Sequence, residues 1–83
     1  MSKFLRVVYK NEFKDETIIN VKNILSVDLH YVGNKRDEDD LILFNLKENI
    51  IHSSDKLYEV YSSDVDDLLE FWEYVKKTLG INE

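Results

Sequence analysis

The sequence predicts an α+β domain: an antiparallel β-meander of four to six strands followed by one C-terminal helix packed on one sheet face. Three observations carry this. Leu25, Val27, Leu29 and Tyr31 alternate with Ser26, Asp28 and His30, the period of a half-buried strand. Residues 41–46, LILFNL, are apolar on both faces, as in a strand at the middle of a sheet. Val65, Leu68, Leu69, Trp72, Val75 and Leu79 recur at helical spacing and make one broad apolar stripe.

The elements follow in order. Residues 4–10 read as a first strand, with Leu5, Val7 and Tyr9 on one face and Phe4, Arg6, Val8 and Lys10 on the other. Residues 11–16, NEFKDE, form the turn, and Phe13 within it is expected to lie over the sheet edge. Residues 17–21 are a short second strand, and Asn20 and Asn23 interrupt the chain before the alternating third. A single long strand over 17–32 with a bulge near Lys22 and Asn23 is the alternative, because a bulge adds a residue and bends a strand. The third strand puts Asp28 and His30 on its wet face. Residues 33–40, GNKRDEDD, make a hairpin loop before the strand at 41–46. Residues 50–52 and 57–61 give a fifth and sixth strand, or one irregular edge.

For the helix, Ser63 with Asp66 three residues later is close to a capping box. Phe71 lies on the shoulder of the stripe and Tyr74 farther round. Acidic residues load the helix start and Lys76 and Lys77 its end, which complements the helix dipole. Glu73 precedes Lys77 at ion-pair spacing. Gly80 suits the left-handed position after the last turn, with Ile81 packing back on it.

The chain has 83 residues, 43% of them hydrophobic, which suffices for one modest core and one domain over residues 1–83. There is no cysteine, so thiolate metal sites, disulfides and cysteine nucleophiles are excluded. The absence of a long apolar run and of a signal-peptide pattern leads to the expectation of a soluble, cytoplasmic protein without membrane association. The net charge of −6 is unevenly spread. Residues 1–36 hold seven Lys/Arg and four Asp/Glu, whereas residues 37–83 hold four and thirteen. An acidic field repels phosphate backbones and attracts basic surfaces.

Motifs of catalysis are missing. There is no GxSxG, GxGxxG or GxxxxGK run, and Ser53, Ser54, Ser62 and Ser63 read as turn and cap residues. Asp28, His30 and His52 are too sparse a set for zinc, and Asp37, Glu38, Asp39 and Asp40 lack the spacing of a calcium loop. The expectation is a non-enzymatic protein with no cofactor and no metal.

Ile19, Val21, Ile24, the run Leu41 to Phe44, Tyr58, Val60, Ser63, Asp66 and Leu69 form a hydrophobic rhythm over most of the chain. It loosely resembles small β-meander-plus-helix proteins of Gram-positive bacteria and their phages, including flagellar-operon FlbD-like proteins. The charged loop around Asp37 stands where those proteins have a glycine turn. The resemblance implies the fold and no function. The Asn-, Ile- and Lys-rich composition suits an AT-rich genome and a phage or mobile element.

The functional expectation is a protein-binding module, a small phage or mobile-element regulator or inhibitor acting through an acidic surface. Asp37, Glu38, Asp39, Asp40, Asp64, Asp67, Glu70 and Glu73 are the candidate partner-binding residues, by imitation of DNA or by docking to a basic partner. One helix cannot cover both faces of an apolar sheet, so a homodimer or a place as an accessory subunit of an assembly is the alternative. The surplus face would come from Phe4/Val8 or Leu5/Tyr9, and from Leu41/Leu43 or Ile42/Phe44. A third reading is weak nucleic-acid binding through Lys3, Arg6, Lys10, Lys14 and Lys22, which the acidic second half opposes.

Overall fold

The computed structural model of the chain describes residues 3–31, 40–50 and 55–81. Strand β1 (Phe4–Val8) pairs antiparallel with β2 (Glu16–Asn20). A 3₁₀ turn (Val21–Asn23) then leads into β3 (Ile24–His30). Strand β4 (Leu41–Leu46) lies between β3 and β5 (Leu57–Tyr61). Helix α1 (Leu68–Leu79) closes the described fold and contacts both β1 and β4. The α+β meander with a packed C-terminal helix is therefore present, divided into two antiparallel sheets. The strand expected at residues 50–52 lies almost wholly outside the described residues.

The sheet divides where Asn20 and Asn23 stand. The Asn20 side chain accepts the Lys22 N–H at 3.0 Å and starts the 3₁₀ turn. Asn23 clamps the turn after β4, accepting the Glu48 N–H at 2.9 Å and donating to its carbonyl at 3.0 Å. These side chains offer the backbone local bonds in place of ladder bonds, so the strand stops and turns a corner. The single long strand over residues 17–32 is thus replaced by two strands. A register irregularity does follow, between Ile24 and Ser26. It takes Leu25 off the inner face and leaves it 64% exposed, whereas Val27 and Leu29 stay half-buried and Asp28 and His30 face outward.

The corner decides how the apolar surplus is buried. The β1–β2 ribbon folds its Leu5, Val7 and Ile19 face onto Ile42, Phe44 and Leu46 of β4 and Tyr58 and Val60 of β5. Val65, Leu68 and Val75 close the same core. Phe44 is wholly buried, and its ring stacks on Tyr58 with centroids 5.8 Å apart. Two sheets facing one another can bury more apolar area than one sheet beneath one helix. Of the alternatives, the ribbon buries Leu5 with Val7 and the central strand buries Ile42 with Phe44. Phe4 and Val8 remain outside.

The helix starts later than the sequence suggests. Ser63 and Asp66 form no capping box. Asp64 accepts the Tyr61 N–H on its carboxylate at 2.9 Å, and its own N–H donates to the Tyr61 carbonyl at 2.9 Å, which makes a separate turn. Asp67 is the cap, accepting the Glu70 N–H at 3.1 Å. Within the stripe Leu68 and Val75 are inside, whereas Leu69, about 100° round from Leu68, is left exposed. Gly80 ends the helix at φ 77°, where the Ile81 N–H returns to the Lys76 carbonyl at 2.9 Å. Glu73 pairs with Lys76 at 3.2 Å, not with Lys77. Phe13 is 79% exposed on the β1–β2 turn, too open to serve as the lid expected over the sheet edge.

Candidate functional site

The start of α1 lies beside the outer edge of β1, and a groove of about 460 Å³ runs between them. Val8, Val65, Phe71 and Tyr74 give it apolar walls, and Asp66, Asp67 and Glu70 stand along one rim with Arg6 opposite. Strand alternation explains the β1 side. Leu5 and Val7 point into the core, so Arg6 and Val8 point out, and Val8 is left 41% exposed. Helical spacing explains the other side: Glu70 and Phe71 stand four and three residues before Tyr74, so all three share one flank of the helix.

The Arg6 charge is already engaged. Its guanidinium meets Glu16 across the ribbon at 2.6 Å, and that hydrogen bond, with the attraction behind it, raises the Arg6 pKa. The rim acids have less to oppose them. Asp67 spends one oxygen on the helix cap, and Asp66 and Glu70 are exposed. The positive helix end amounts to about half a charge, and Lys10, which lines the adjoining cleft with Asp66 and Asp67, adds one more, still below three carboxylates. The groove therefore combines apolar walls with a net negative field.

A second, smaller cleft of about 240 Å³ adjoins it, lined by Lys10, Tyr31, Asp40, Ser62, Leu68 and Leu69 with the same Asp66 and Asp67. The two aspartates form a ridge between the clefts. Exposed Tyr31, Leu69 and Tyr74 extend the apolar surface around that ridge.

The predicted acidic set is only partly brought together. Asp67 and Glu70 meet in the groove, joined by Asp66. Asp64 holds the preceding turn, and Glu73 is engaged by Lys76 away from the groove lining. Asp40 is 3% exposed, with its carbonyl accepting the Ser62 N–H at 3.0 Å, so it is no part of an exposed acidic loop. The start of β4 draws it in beside the end of β5. Asp37, Glu38 and Asp39 lie outside the described residues. Asp66 was missed because its position matched a cap partner. Val8 and Tyr74 were missed because only the fold sets β1 against the helix.

A different polar cluster lies inside the core. The Tyr9 and Tyr58 hydroxyls hydrogen-bond one another. Burial, then the Tyr9 bond, pushes the Tyr58 pKa above the usual tyrosine value. Thr17 Oγ1 is near enough to favour the Tyr58 phenolate slightly, yet it is buried with no hydrogen-bond partner of normal geometry among the described residues. Among the described residues no group of three His, Asp or Glu could hold a metal ion, and no helix is long and apolar enough to cross a membrane.

Fold and groove together define a small α+β domain with an acidic-rimmed apolar groove at the helix start. No protein-family model matches the chain, and neither a curated protein nor a solved structure matches it significantly.

Proposed function

We propose that this protein is a non-enzymatic binding module that docks a basic, partly apolar segment of a partner protein in the groove between β1 and α1. The observation that carries the reading is the placement of Asp66, Asp67 and Glu70 on the rim of walls made by Val8, Val65, Phe71 and Tyr74. Apolar walls supply affinity on burial at about 25 cal/mol per Å². Rim carboxylates steer a basic partner and reject acidic ones. Imitation of DNA calls for a broad run of carboxylates, and the burial of Asp40 and the pairing of Glu73 with Lys76 weigh toward docking instead. A regulator or inhibitor encoded by a phage or mobile element would use such a surface on a basic host protein.

The test is an NMR titration of the labelled protein with short lysine- and valine-containing peptides, with acidic peptides of equal length as controls. Shifts centred on Val8, Glu70, Phe71 and Tyr74, weakening with salt, are expected. Glu70→Lys should weaken binding about tenfold, about 1.4 kcal/mol. Equal binding of acidic and basic peptides would overturn the reading.

A further inference from the structure

The backbone of β1 identifies the form the occupant takes. Tyr9 donates its N–H to the Asp15 carbonyl at 2.8 Å, and Val21 donates to the Lys3 carbonyl at 3.0 Å. These bonds extend the β1–β2 ladder at both ends. They set its parity: Lys3, Leu5, Val7 and Tyr9 direct their N–H and carbonyl groups toward β2. Arg6, Val8 and Lys10 therefore direct theirs away from β2, toward the groove and the helix start.

Two of those three N–H groups are used. Arg6 donates to the Tyr74 hydroxyl at 3.0 Å, and Lys10 donates to the Asp64 carbonyl at 2.8 Å. Between them, no hydrogen bond reaches the Val8 N–H or carbonyl among the described residues. Val8 is also a wall of the groove. The groove thus contains an unpaired rung of a strand edge, closed at one end by Tyr74 and at the other by Asp64. Arg6 and Lys10 are four residues apart, about 13 Å along a strand, which leaves room for a short extended segment.

The geometry points to strand addition: a short extended segment of a partner protein, alternating valine-like and Lys/Arg side chains, pairs with the free edge of β1 at Val8. Its apolar side chains meet Val8, Val65 and Phe71, and its cations meet Asp66, Asp67 and Glu70. An exposed edge is a template for such pairing, where main-chain bonds give affinity and alternate side chains give specificity. Charge selects the occupant. The rim carboxylates favour Lys and Arg, and Arg6, held by Glu16, does not cancel them. The inference rests on the docking role proposed above and adds the backbone pairing to it.

The test uses the whole chain and a blocked peptide of alternating valine and lysine. Two further isomers of that peptide carry N-methyl groups on alternate backbone nitrogens, one on each parity. Strand addition predicts that one isomer binds at least about tenfold more weakly while the other stays within about twofold of the parent. It also predicts that the Val8 N–H, fast to exchange in the free protein, slows on binding by at least about tenfold. Val8→Pro removes the free N–H, which a strand tolerates where that N–H faces away from the ladder, and it exchanges the valine wall for a proline ring. Val8→Ala, which keeps the N–H, is therefore its control and should weaken binding less. Val8→Pro should weaken the parent peptide by a similar factor to the sensitive isomer. The peptide isomers keep the test decisive should this variant fold poorly. If both isomers bind alike and Val8 exchange is unchanged, while Glu70→Lys still weakens the parent, strand addition is overturned and docking stands. If no basic peptide binds at low salt, both fall.

Discussion

Replacing Asp67 by alanine tests where the helix begins and how much its start contributes. Asp67 Oδ1 accepts the Glu70 N–H at 3.1 Å, one of the first-turn donors that has no carbonyl partner within the helix. The Asp67 carbonyl, which accepts the Phe71 N–H at 3.0 Å, survives the change. Loss of a cap of this kind costs about 1 kcal/mol, and loss of its charge at the positive helix end about 0.5 kcal/mol more. For 83 residues the unfolding entropy is about 0.17 kcal/mol/K, so about 1.5 kcal/mol lowers Tm by about 9 °C. Asp67→Asn keeps an acceptor and should lose only about 3 °C. Ser63→Ala should stay within about 0.5 kcal/mol of the parent. Thermal and urea unfolding followed by far-UV circular dichroism give the numbers. A Ser63→Ala variant as destabilised as Asp67→Ala would refute the placement of the cap.

Three other outcomes follow from the packing. Phe44→Ala removes a wholly buried ring stacked on Tyr58 and should cost about 3–5 kcal/mol, against a total of about 4–12 kcal/mol for a domain of this length. Urea midpoints measure it, and a loss below about 1 kcal/mol would contradict the central place of β4 in the core. Gly80→Ala forces a side chain into the left-handed region at φ 77° and should cost about 1 kcal/mol, with Gly80→Asn costing less, by the same measurement. The third concerns alkaline pH. Tyr58 holds its proton more tightly folded than unfolded. The unfolded chain therefore ionises first, and stability falls as pH rises above about 10, the unfolded tyrosine value. Tyr58→Phe should flatten that fall in urea titrations repeated across the alkaline range. An equally steep decline would place its origin in another group.

Much of the local structure was legible. The alternation through Val27 and Leu29 and the two-sided apolar run at Leu41–Leu46 each reflect burial along a few consecutive residues, which the sequence records directly. The helix stripe and Gly80 are equally local. The site was less legible. Asp67 and Glu70 stood out as acids, but an Asp-rich segment offers several caps, and the turn built by Asp64 chose among them. Glu73 had two lysines within reach, and Lys76 took it while also lying over the Trp72 ring at 5.9 Å.

Sequence alone thus determined the strands, the helix, and an acidic second half set against a basic first one. Tertiary structure decided which apolar face of β1 is inside. Leu5/Val7 and Phe4/Val8 are both hydrophobic pairs, so periodicity cannot rank them. The corner at Val21–Asn23 ranks them by folding the ribbon onto β4. With Leu5 and Val7 turned in, Val8 and its unpaired backbone rung face the acids of the helix start. That groove is made by residues far apart in the chain, and only packing brings a strand edge and a helix cap together.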